Sequence, residues 1–261
     1  MNDTIQEKLN EWAERYVPQF CKLSETYKND FYTQSPLSEL EDSPRLMVIA
    51  INPKGSPNSG SKSISPAEYL SGNPSWDNRF DENGVISRDW SNYLGKARCF
   101  LGVTSSKKDS VIDNDKNVIW TNMTPFVSNN GFSDLPSELA SVGIKSTIEL
   151  INIINPQRIV IFETGALGKL KSVCEKNGID DCTIINTKIV DNLSLEVGYI
   201  NDIPTVCVNH PSGHWAISNA FVPVFIFLHS IAIQKFTKLN DVRDYMRKEF
   251  KAWQEQMKFD V

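Results

Sequence analysis

Four short apolar runs, each stopped by polar turn-forming residues and separated from the next by helix-like stretches, constrain this chain most. Leu46 to Ile51 ends at Asn52-Pro53-Lys54-Gly55, Asn117 to Thr121 closes on Asn122, Arg158 to Phe162 precedes Glu163, and Ile203 to Val208 ends at Asn209-His210-Pro211-Ser212-Gly213. Continuous runs of this length read as strands buried on both faces, and helices between them imply parallel pairing. The expected architecture is a three-layer αβα fold with a central, mostly parallel four-stranded sheet. Right-handed crossovers would bring Asn52, Asn122, Glu163 and Asn209-His210 to one sheet edge, where open α/β proteins bind ligands.

The remaining elements follow from periodicity. Leu9, Trp12, Tyr16 and Phe20 share one face of one or two helices within Asp3 to Tyr32. Helices are expected over Ser87 to Leu101, over Glu138 to Ile154 before Asn155-Pro156, and over Gly165 to Asn177 with Gly178 at its end. Thr183 to Val190 and Leu195 to Ile200 are weaker strand signals, and Val222 to Lys235 and Val242 to Met257 read as terminal helices. The stretch from Pro53 to Gly84, crowded with Gly, Pro, Ser and Asn, reads as a long irregular loop carrying Tyr69, Trp76 and Phe80. With no internal repeat or boundary, residues 1–261 are expected to form a single domain, with an N-terminal helical extension over 1–33 and C-terminal helices within 217–258.

Several function classes fall away. Five cysteines at wide spacings, with no CxxC, suit reduced thiols in a cytoplasmic protein better than a disulfide frame or zinc knuckle. Met1 to Glu14 is polar and acidic, unlike a secretory signal, and Ala220 to Ile233 is too short and interrupted to span a bilayer, so no membrane partner is expected. There is no GxxxxGK[ST], Gly165-Ala166-Leu167-Gly168 lacks dinucleotide-loop spacing, and Ser212 has no GxSxG elbow. His210 and His214 are separated by Pro211 and Gly213, which would break a ligand-bearing helix, so neither metal nor cofactor is expected. A net charge of -5 argues against indiscriminate nucleic-acid binding but leaves a local basic face open.

What the strand ends do carry is a set of short motifs in a particular order. Ala50-Ile51-Asn52-Pro53-Lys54-Gly55 resembles the GxNPG-type first motif of the uracil-DNA glycosylase superfamily, closest to its mismatch-specific and single-strand-selective branches. His210-Pro211-Ser212-Gly213 resembles the second motif, and Thr121-Asn122-Met123-Thr124-Pro125 the intermediate motif whose Asn reads the base. The resemblance spans roughly Leu46 to Trp215. It implies a monofunctional DNA N-glycosylase acting on DNA with a flipped, damaged or modified pyrimidine.

The same resemblance assigns roles. Asn52 would orient the hydrolytic water, and His210 would donate to a base oxygen as the ring departs. Asn122 would present donor and acceptor to a Watson–Crick edge. Trp76 or Phe80 would cover the flipped base, and Ser212, Gly213, His214, Trp215 and Lys54 would wedge the duplex or meet its backbone. Two departures stand out: Ala50 replaces the usual Gly, and Lys54 separates Pro53 from Gly55. The long first loop suits a base bulkier than uracil, including a hypermodified cytosine of viral DNA. The alternative is a nucleic-acid or nucleotide binding protein that kept the fold without hydrolysis.

Overall fold

The computed structural model describes residues 4–33, 35–38, 40, 43–44, 46–51, 53, 63–101, 103, 105–128, 134–163, 165–178, 184–190 and 195–211. The expected terminal helices within 217–258 lie outside the described residues, as do Asn52, Lys54, Ser212, Gly213, His214 and Trp215.

The apolar runs form β1 (Leu46–Ala50), β2 (Val118–Asn122), β3 (Ile159–Ile161) and β6 (Ile203–Val208), all mutually parallel in the order β2-β1-β3-β6. The sheet has six strands rather than the expected four. β4 (Ile184–Val190) and β5 (Leu195–Ile200) extend it antiparallel beyond β6, giving β2-β1-β3-β6-β5-β4. Short connections explain the change of direction: Asn201 and Asp202, both at positive φ, turn β5 straight into β6, whereas parallel neighbours need a crossover.

Alternation along the parallel strands divides the core between two faces. Met47, Ile49, Ile119, Ile159, Ile161 and Cys207 meet α1 (Ile5–Tyr27), α5 (Ser137–Ile154) and α6 (Ala166–Asn177). Val48, Val118, Trp120, Val160, Phe162 and Val206 meet Trp76, Leu94, Ala97 and Phe100 on the other side. The three-layer expectation is met.

α1 is one helix, started by a capping box between Thr4 and Glu7 and ended by Lys28 in the left-handed region. Pro18 is tolerated because it lies on the exposed face, where the carbonyl it frees can meet water. α1 shares a single apolar cluster with the sheet and α5, and Trp12 Nε1 donates to the Ser146 carbonyl at 2.9 Å.

The described part of the first loop, residues 63–84, is more ordered than its composition suggests. Within it, α2 (Pro66–Leu70) carries its own capping box of Ser65 and Glu68, and a 3-10 turn runs over Pro74–Arg79. The helix expected over Ser87 to Leu101 is also interrupted: α3 (Arg88–Trp90) and α4 (Lys96–Phe100) flank a π-helical turn at Ser91–Gly95. Among the described residues, no helix is long and apolar enough to cross a membrane.

Candidate active site at the carboxyl edge of the parallel strands

The register aligns the strand ends. Ala50 pairs with Asn122, Ile49 with Ile161, and Ile161 with Cys207, so one step further on Asn122, Ala50, Phe162 and Val208 stand abreast. Three strand spacings separate β2 from β6, about 14 Å. Asn122 and His210 therefore bracket the edge from its two sides.

The end of β2 is held from several directions. The main chain turns back on β1, with Met123 N donating to Ala50 O at 2.7 Å and Thr124 N to Ile51 O at 3.2 Å. The outer edge is covered by the segment after α1: buried Ser35 both accepts from Trp120 N and donates to Trp120 O through its hydroxyl, each at 2.9 Å. Such covering is what an edge strand needs to avoid pairing with another chain. From the α5 side, Thr147 Oγ1 donates to the Asn122 carbonyl at 3.2 Å.

Against this fixed main chain, the Asn122 side chain is anomalous. The residue is only 3% exposed, yet neither its Oδ1 nor its Nδ2 has a hydrogen-bond partner. Among the described residues no other side chain leaves two such atoms unmet. A buried polar group without a partner costs about 1–3 kcal/mol. Ordered water, an ion or a ligand is what meets such groups.

His210, half-buried two residues past β6, lies among aromatic rings. Its imidazole stacks on Tyr93 at 6.0 Å and 26°, and meets Phe162 edge-on at 6.5 Å. Tyr93 in turn touches Trp120 at 6.3 Å, so its ring lies between the β2 and β6 ends of the site. The Tyr93 hydroxyl oxygen is buried without a partner, and burial holds the phenol well above its ordinary pKa. Nothing in the sequence singled out Tyr93. The signal that would have done so is a polar-tipped aromatic within a helix whose period slips, and that slip is visible only in three dimensions.

The other expected site residues are placed differently. Trp76, expected to cover a base, is 0% exposed in the second core, with Nε1 donating to Asp115 at 3.0 Å and the ring packed on Trp90 and Trp120. Its size and its apolar neighbours made core burial the cheaper use of the indole. Phe80 is half-buried among cations, with Arg79 and Arg98 at 5.5 Å from its ring centre and Lys108 at 5.9 Å. Those arginines are structural: Arg98, fully buried, binds Asp113 at 2.8 Å and the carbonyls of Ser105 and Lys107. Glu163 stands at the same sheet edge but is paired with Lys169 of α6, whereas its neighbour Phe162 contacts His210.

Among the described residues, no group of three or more His, Cys, Asp or Glu is arranged to hold a metal ion. What the site offers is hydrogen bonding and aromatic surface: an amide able to donate and accept, a phenol that keeps its proton, and an imidazole between rings. The chain matches no family model and no curated protein.

Proposed function

We propose that this chain is a monofunctional DNA glycosylase that hydrolyses the N-glycosidic bond of a pyrimidine, either uracil or a modified cytosine such as one in viral DNA. The observation that carries the reading is the buried, unpartnered amide of Asn122 at the carboxyl edge of the sheet. A flipped pyrimidine has the complementary edge, with a donor and an acceptor side by side. It would remove the desolvation cost that the free protein bears.

In this reading Asn52 holds a water against C1′ of the sugar. The C1′–N1 bond breaks with its electron pair leaving on the base, the water oxygen bonds to C1′, and its proton passes to solvent or to the base. His210 donates to a carbonyl oxygen of the base as negative charge develops on the departing ring, a contribution of about 3–4 kcal/mol for a single well-placed donor. Packing between Tyr93 and Phe162 restricts the imidazole to few orientations, which suits a donor that must be in place before charge develops. Products are the free base and an abasic site.

The test is single-turnover incubation of the full chain with single-stranded and duplex oligonucleotides carrying uracil, mismatched thymine or modified cytosines, scored by alkali cleavage. Cleavage at the pyrimidine position is expected, reduced about 100-fold in Asn52→Ala with DNA affinity spared. Tight binding to the oligonucleotides with no abasic site on any of them would favour a binding module without hydrolysis.

A further inference from the structure

Tyr93 sits on the π-helical turn Ser91–Gly95, the kind of helical irregularity that is frequent at functional sites. Its ring spans from Trp120, two residues before Asn122 in β2, to His210 beyond β6. Its hydroxyl oxygen and both polar atoms of the Asn122 amide are buried and without partners. The two residues come from different elements, and both leave hydrogen-bonding capacity unused at the same end of the sheet.

We propose that Tyr93 is a ligand-contacting, specificity-determining residue, whose hydroxyl donates to an oxo group of the same pyrimidine ring that Asn122 reads. The inference rests on the site being a pyrimidine site, and it narrows the ligand class to pyrimidines carrying a carbonyl oxygen on the edge facing Tyr93. The donor sense follows from the chemistry of the group. Burial holds the phenol above its ordinary pKa, so it keeps its proton and its first need is an acceptor. An oxo group is a strong acceptor, and a ring nitrogen that carries hydrogen is not one.

Tyr93→Phe tests this, because it keeps the ring between Trp120 and His210 and removes only the oxygen. Binding of free uracil and 5-hydroxymethyluracil to wild type and variant is measured by ligand-observed NMR. The same measurement is made with pyrimidin-2-one and pyrimidin-4-one, each lacking one of the two carbonyls. Uracil affinity is expected to fall about 10-fold in the variant, the worth of one neutral hydrogen bond. For one of the two single-carbonyl analogues the loss should vanish, because the oxygen that Tyr93 meets is already gone. The ligand-free variant should melt at the wild-type temperature or above it, since no bond within the protein is lost.

Equal uracil binding by the two proteins overturns the proposal. So does a ligand-free variant that melts lower, which would mean that the hydroxyl has a partner within the protein, and so does a failure of both proteins to bind any of the four bases. If wild type binds uracil in the Tyr93-dependent way but excises nothing from oligonucleotides, the glycosylase reading fails and the Tyr93 assignment stands.

Discussion

Gly143 of α5 lies directly against Thr124, two residues past Asn122: a Cβ at Gly143 would sit 2.6 Å from the Thr124 Cβ and 3.1 Å from its Cα. Real Cβ atoms essentially never come within 3.0 Å of a neighbour, and Thr124 is itself fully buried. The absence of a side chain at Gly143 is therefore what lets α5 reach the β2 end and place Thr147 on the Asn122 carbonyl.

Gly143→Ala should accordingly destabilise the protein by about 1–3 kcal/mol, the usual range for overpacking a filled core. Because the strain falls beside Asn122, base binding should weaken as well. Chemical denaturation together with uracil binding checks both. A variant as stable as wild type would mean that α5 shifts freely, and the close contact would then have no part in fixing the site.

Asn122→Leu should separate stability from function. Leucine keeps the γ-branched outline of asparagine, is larger, and leaves no polar atom unsatisfied, so a gain of up to about 1–3 kcal/mol from losing the unpartnered amide is offset in part by the added volume. Pyrimidine binding and excision should be lost. Stability bought at the expense of function is the signature of a polar group kept buried for a ligand. A loss greater than about 3 kcal/mol, more than the added volume accounts for, would show instead that the amide is bonded within the free protein.

Trp76→Ala should cost about 3–5 kcal/mol, as truncation of a fully buried large aromatic does. It would also strip the indole from Arg79, whose guanidinium lies 4.6 Å from the ring centre and would keep its ion pair with Asp115. Excision on single-stranded and duplex substrates should fall in parallel, tracking the folded fraction. A stable Trp76 variant with a selective defect on one base would return this residue to the binding surface.

Stability should decline as pH rises above about 10. Burial holds the phenols of Tyr16, Tyr69 and Tyr93 above their ordinary pKa, so the unfolded chain loses protons in this range that the native state keeps. The stabilisation is fully present below the unfolded value and fades as pH climbs past it. In a spectrophotometric titration, the phenolate absorbance of these three should appear together with loss of native circular dichroism. Early, reversible ionisation of all tyrosines in a still-folded protein would contradict this.

Local sequence was enough to determine the parallel strands, because an uninterrupted apolar run bounded by turn formers has few ways to bury both of its faces. It was enough for α1, α5 and α6 too, where Leu9, Trp12, Tyr16 and Phe20, or Leu139, Ile144, Ile148 and Ile151, repeat at the helical period. Asn122 and His210 were legible for the same reason, as polar residues at the ends of such runs. Tertiary structure decided what periodicity does not encode. The two antiparallel strands depend on a two-residue turn at Asn201 and Asp202, and the 3-10 turn of the first loop is fixed by packing Trp76 on Trp90 and Trp120. Tyr93 reaches His210 from a π turn. That the Asn122 amide is buried without a partner is likewise a property of everything packed around it, since the same side chain at an exposed strand end would be satisfied by water.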